Sequence, residues 1–162
     1  MVAGKGARAA SADRRLRDLG IQLPAVPTPF GSYVETVKTG NLLFLSGMLP
    51  VVDHKPAYVG RLAGDLAVET GRSAAYTAAL GALAAAKGHL GTLDKITRIV
   101  RLGVFIATLD ESINQPKIAD AASDFFKEVF GIDKLAVRSV IGVASLPLNV
   151  PIVLDVIFEV AI

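Results

Sequence analysis

The period of apolar and polar positions changes several times along the chain, and each change predicts an element. Tyr33 to Val37 and Leu42 to Ser46 are short, strand-like runs joined by Lys38-Thr39-Gly40-Asn41, whose Gly and Asn suit a turn, so a hairpin opens the body of the protein. Pro50 closes the second run. Val51 to Leu62, with Pro56 and Gly60, reads as a loop with at most one short edge strand around Tyr58. From Leu66 to Leu90 the spacing becomes helical: Leu66, Tyr76, Leu80, Leu83 and Leu90 stand among eight alanines between Ala74 and Ala86, with Gly88 and Gly91 ending the helix.

Arg98 to Ala107 is a nearly continuous apolar run, as expected of a strand buried on most of both faces. Pro116 then suits a first helical turn, and Ile118, Ala121, Ala122, Phe125, Phe126 and Val129 follow at helical spacing up to Gly131. Two strands close the chain, Ala136 to Ser145 and Ile152 to Val160. Upstream of the hairpin, Ser11 to Leu19 predicts a short helix capped by Ser11 and ended by Gly20, and the prolines at 24, 27 and 29 exclude regular structure between that helix and the hairpin. Residues 1–29 therefore read as an N-terminal arm and Pro-rich linker, and residues 30–162 as one domain.

The order ββ(β)αβαββ predicts an α+β fold, a five- to six-stranded mixed sheet with two helices packed on one face. The last strand tests whether the other face is solvated. Leu154, Val156, Phe158 and Val160 share one side, while Val153, Asp155, Ile157 and Glu159 share the other, which is half apolar. A third layer is missing from the sequence, so that face is expected to be covered by another copy of the chain in a homo-oligomer.

Composition narrows the chemistry. The 162 residues are 52% apolar and 20% charged, enough for a sizeable core, and the absence of Cys rules out disulfides, thiolate zinc sites and cysteine nucleophiles. No apolar run reaches the ~18 residues of a membrane span, and a soluble, cytoplasmic protein without membrane contact is expected. The net charge of +2 is uneven: Lys5, Arg8, Arg14, Arg15 and Arg17 against Asp13 and Asp18 put +3 in the first twenty residues and leave the body nearly neutral. Without a basic stripe interleaved with aromatic rings, the body is not expected to bind nucleic acid, and the leader reads as a solvated tail or short surface helix.

Arg138 is the residue with the strongest chemical demand. It interrupts the apolar run LAVRSVIGVASLP, and a guanidinium on a largely buried strand needs an anionic acceptor. That acceptor is either Asp155 or Glu159 on the neighbouring strand or the carboxylate of a bound ligand, which a planar fork grips on two sides. Ser46-Gly47 in LSGMLP places a hydroxyl and backbone amides at a strand end, and Tyr33 heads the first strand; each alone fits a plain structural role equally well. His54 and His89 lie in no ligand-spaced cluster, so no metal is expected. No Walker loop or G-x-G-x-x-G occurs, no cofactor is expected, and Asp110-Glu111 reads as a solvated loop.

Taken together, SYVETVKTGNLLFLSGMLP (32–50) and the R-S-x-x-G-V-A-S-L-P run (138–147) resemble the YjgF/Rid family, the reactive-intermediate imine/enamine deaminases, also labelled endoribonuclease L-PSP. The resemblance extends from Gly31 to the C-terminus, and the QPKIADAASDFF stretch is similar to a subgroup with poorly defined substrates. It implies a chorismate-mutase-like fold assembled as a homotrimer, with ligand clefts between subunits. It further implies that Arg138 holds a substrate carboxylate, that Tyr33 and Ser46 line the cleft as catalytic residues, and that the backbones of Gly47 and Val140 position the ligand.

The implied activity is hydrolysis of 2-imino or enamino acids to 2-oxo acids and ammonia on a small carboxylate-bearing substrate. The alternative is a non-catalytic homotrimer that binds small carboxylates or proteins. The matching position for the family's water-orienting glutamate is Val153, and for its cysteine Val140. RNA cleavage, which the older label implies, has the least physical support from a neutral body.

Overall fold

The computed structural model describes residues 11–162. Helix α1 (Ala12–Asp18) is capped by Ser11, whose hydroxyl accepts from the Arg14 amide, and Gly20 takes the left-handed φ of 69° that ends it. This helix is pinned rather than solvated. Ala12 and Leu16 are buried, and Asp13 accepts from Lys87 Nζ (2.9 Å), Thr92 Oγ1 (2.5 Å) and the Leu93 amide (3.3 Å). Residues 1–10, with Lys5 and Arg8, lie outside the described part.

Strands β1 (Thr36–Thr39) and β2 (Leu42–Leu45) form the expected hairpin, but the first strand starts three residues later than its sequence suggests. Thr39 pairs with Leu42, so only Gly40 and Asn41 turn the chain, with Gly40 at φ 57°. Tyr33 therefore precedes the strand and does not head it. The next segment also differs: β3 (Val51–Val52) and β4 (Lys55–Pro56) make a small hairpin, and Tyr58 lies outside it. Its turn is Asp53-His54, both at positive φ, a geometry Asp tolerates and apolar periodicity does not reveal.

Helix α2 (Val68–Leu90) ends at Gly91, whereas Gly88 lies inside it. An added Cβ on Gly88 would come within 2.8 Å of Val26 Cγ2, so the glycine lets the Pro-rich segment dock on the helix. Strand β5 (Ile96–Ala107), helix α3 (Gln115–Phe130), β6 (Val137–Val143) and β7 (Ile152–Val160) complete the chain. Asn114 caps α3 by accepting from the Lys117 amide, and Pro116 sits in its first turn.

The main sheet has five strands in the order β1-β2-β7-β5-β6, parallel only between β5 and β6, beside the separate β3-β4 pair. Every buried side chain of the core among the described residues is apolar. Leu43, Leu102, Ile106, Leu154 and Phe158 are buried on the helix side of the sheet, against residues such as Leu83 and Phe126. On β7 the alternation is as expected: Leu154, Val156, Phe158 and Val160 are buried, and Val153, Asp155, Ile157 and Glu159 are half-exposed. The uncovered face also shows Val37, Phe44, Val137 and Ile141, an apolar surface open in the single chain.

Candidate functional site

Arg138 pairs with Leu102 across the parallel β5-β6 ladder, so it projects to the helix side of the edge strand β6. There its Nη1 donates to Asp120 Oδ1 at 2.8 Å and to Ser123 Oγ at 3.0 Å, both from α3. The internal acceptor is thus neither Asp155 nor Glu159. Asp155 faces the opposite side of the sheet beside Arg101 (3.7 Å), and Glu159 accepts from Thr97 Oγ1 (2.6 Å). Alternation explains the difference, because those two carboxylates lie on the face that Arg138 leaves. Asp120 and Ser123, one helical turn apart, are visible in the sequence only as polar positions of α3.

Tyr33, Ser46 and Gly47 come together elsewhere, around a cavity of about 400 Å³ on the β1-β2 side. Phe30, Gly31 and Leu49 complete one wall, and Pro147, Leu148 and Val153 form the other. The hairpin and the chain reversal after β2 carry Ser46 and Gly47 to this place, and β7 brings Val153. The contact is close: a Cβ on Gly47 would stand 3.0 Å from Val153 Cγ1. The two hydroxyls are oriented from within. The Phe30 amide donates to Tyr33 Oη (3.0 Å), which leaves the phenolic proton free to donate outward. Ser46 Oγ donates to the Val34 carbonyl (2.5 Å), which leaves its oxygen free to accept.

Beside the cavity, Phe30 stacks on His54 with ring centroids 4.0 Å apart, and His54 Nδ1 lies 3.0 Å from Thr28 Oγ1. Glu35 stands opposite Ser46, its carbonyl accepting the Ser46 amide (2.9 Å). Burial pushes the Glu35 carboxyl above the usual carboxylate range, against a smaller opposing pull from His54.

Val140 pairs with Val104 and packs partly buried on the helix side near Arg138. Three strand steps separate β2 from β6, roughly 14 Å of sheet at 4.7–4.9 Å per step. Tyr33, Ser46 and Gly47 therefore share one cavity, whereas Arg138 and Val140 occupy the far edge. One copy does not present both sets to one small molecule. Among the described residues no cluster of three His, Cys, Asp or Glu side chains could hold a metal ion, and no helix is long and apolar enough to cross a membrane.

Comparison with known proteins bears on this arrangement. A family model described as "YjgF/chorismate_mutase-like, putative endoribonuclease" matches residues 13–160. The chain belongs to the YjgF/Rid family. Its fold is the chorismate-mutase-like α+β fold of that family. A crystal structure of an endoribonuclease-family protein from Shewanella oneidensis superposes with a TM-score of 0.88 at 31% identity, covering 93% of this chain and 100% of that one. Protein TCP17 of Trypanosoma cruzi is 36% identical over 146 residues, 89% of this chain and 91% of its own. A 2-iminobutanoate/2-iminopropanoate deaminase of Dermatophagoides farinae is 28% identical over 130 residues, 80% of this chain and 86% of its own. Membership and the deaminase relative support a general Rid-type function for this YjgF/Rid protein.

Proposed function

We propose that this YjgF/Rid protein hydrolyses the C=N bond of 2-imino acids, including those formed when 2-enamino acids tautomerise, giving a 2-oxo acid and ammonia, in clefts between copies of a homotrimer. The supporting observation is the division of the candidate residues between two edges of one sheet. A β6 edge carrying Arg138 and Val140, set against the β1-β2 edge of a neighbouring copy, reunites them. The open apolar face of the sheet gives such copies a surface to bury.

In that cleft Arg138 grips the carboxylate. Its pair with Asp120 engages one nitrogen and leaves Nε and Nη2 to a ligand. Tyr33 donates a hydrogen bond to the substrate's heteroatom, and Ser46 Oγ accepts one from the attacking water, with the Gly47 and Val140 backbones holding register. Water adds to the imine carbon and gives one proton to the nitrogen; as the carbinolamine collapses, its hydroxyl gives the nitrogen the second proton, the C=O bond forms and the C–N bond breaks to release ammonia. Holding water and imine in attack geometry supplies most of the acceleration.

The test generates 2-iminopropanoate in situ with an amino acid oxidase and follows its decay. The wild type accelerates the decay and Arg138→Ala does not; equal rates for the two proteins would overturn the proposal. One observation favours a second reading, a non-catalytic carboxylate- or protein-binding trimer. Val153 offers no acid to activate water. Saturable binding of a 2-oxo acid together with no imine turnover would establish that reading.

A further inference from the structure

Resting on that reading of the site, we infer that the acids it takes carry a large apolar side chain, of branched aliphatic or aromatic size, lodged in the cavity beside Tyr33 and Ser46. A three- or four-carbon imino acid is a handful of atoms, and a cavity of about 400 Å³ belongs to the range that accepts ligands several times larger. Its chemistry is one-sided. The two hydroxyls are held at one end by bonds to Phe30 and Val34, and the rest of the wall is Phe30, Leu49, Leu148 and Val153 beside glycine and proline.

A second observation comes from the loop before β7. Leu148 holds φ 55°, a left-handed conformation that costs a leucine about 1 kcal/mol or more, and the residue lines the cavity while 46% exposed in the single chain. The loop is over-determined around it. Gly60 donates to the Asn149 carbonyl (2.8 Å), and the Asn149 and Val150 amides close back on Leu146 and Pro147. A strained backbone that presents an unburied apolar side chain to an apolar cavity is arranged for contact with an apolar group of a ligand. At the other end, Asp120 already neutralises part of Arg138, so the carboxylate grip common to all such acids leaves discrimination to the cavity.

Calorimetry of the full chain with pyruvate, 2-oxobutyrate, 4-methyl-2-oxopentanoate and phenylpyruvate reads this without turnover. Affinity rises along the series, by roughly 10- to 100-fold from pyruvate to 4-methyl-2-oxopentanoate at a few-fold per buried methylene. Leu148→Gly, which suits the backbone and deletes the contact, flattens the series. Equal affinities, a preference for pyruvate, or no binding of any acid would overturn the inference. Imines made from leucine and alanine by an oxidase are assayed in parallel: a stepped binding series with no turnover of either imine keeps the specificity and removes the hydrolase.

Discussion

Arg138 and Asp120 meet across the α3-β6 interface with Nη1 2.8 Å from Oδ1, and the guanidinium side chain keeps 26% of its surface exposed. An ion pair this open is worth about 0–1 kcal/mol, less than the 1.5–3 kcal/mol of a charge-assisted hydrogen bond to a ligand in a desolvated cleft. A bound carboxylate can therefore take Arg138 without the fold giving up much. Asp120→Asn, which keeps the hydrogen bond and removes the competing charge, should strengthen 2-oxo acid binding several-fold. The melting temperature should change by only a degree or two. Titration calorimetry and a thermal melt on the same sample check both.

The strand pattern makes most of this fold legible. Period-two alternation in β7 identifies its buried and half-exposed faces, and the alanine-rich period of α2 identifies a helix. Tyr33 falls outside its expected strand because a strand-like composition, Tyr-Val-Glu-Thr-Val, continues past the point where pairing with β2 stops. The partner of Arg138 escapes the sequence for a different reason. Spacing along a strand says which residues share a face, but which helix turn lies over that face is a tertiary fact. The cavity wall at Pro147 and Leu148 likewise depends on a positive-φ leucine that no propensity would suggest.

Asp13 predicts an acid-sensitive N-terminus. Burial alone would raise its pKa, but the bonds from Thr92, Lys87 and the Leu93 amide, with the Lys87 charge, outweigh burial and hold the carboxyl below its usual range. A depressed folded pKa contributes stability above the unfolded pKa near 3.8, and that stability is lost as pH falls through the lower folded value. Asp13→Asn should lower stability by about 1–3 kcal/mol at pH 7, from the loss of bonds made to a charged group. The difference from wild type should close as both are acidified below about pH 4. Urea unfolding at a series of pH values measures it.

Glu35 predicts the opposite sign. Its folded pKa is raised, chiefly by burial, so its protonated form is the one the fold prefers, and stability is lost as pH rises from the unfolded value near 4.5 through the folded one. Glu35→Gln should therefore be more stable than wild type at neutral pH and indistinguishable from it near pH 3. Because His54 opposes the burial effect, His54→Gln should push the carboxyl higher still. NMR titration of the Glu35 side-chain carbon follows it directly.

The docking of the Pro-rich segment on α2 rests on one missing atom. A Cβ at Gly88 would stand 2.8 Å from Val26 Cγ2, closer than real Cβ atoms approach, and 3.2 Å from Val26 Cγ1, a tight contact. Alanine is ordinarily the better helix former by about 1 kcal/mol, so propensity alone predicts that Gly88→Ala stabilises the protein. Overpacking of about 1–3 kcal/mol outweighs that gain. Gly88→Ala should be less stable in equilibrium unfolding, and the double variant Gly88→Ala with Val26→Ala should recover the propensity gain.

On the proposed hydrolase reading, Val153 limits how fast the site can work. On β7 it pairs with Phe105 of β5, lines the cavity wall and stands 3.0 Å from where a Cβ on Gly47 would be, so its side chain faces the cavity beside Ser46. Valine can neither accept nor relay a proton, and the site as built relies on positioning. A general base in that place contributes about 10²- to 10⁴-fold in favourable cases. Val153→Glu should raise kcat for hydrolysis of the small substrate 2-iminopropanoate at least tenfold and introduce an acidic limb into the pH–rate profile, while costing affinity for acids with large apolar side chains that pack on this wall. Ammonia release from an in situ imine, measured from pH 5 to 9, carries the test. A rate that stays flat across that range at the wild-type value would mean that water activation lies with another group of the cleft.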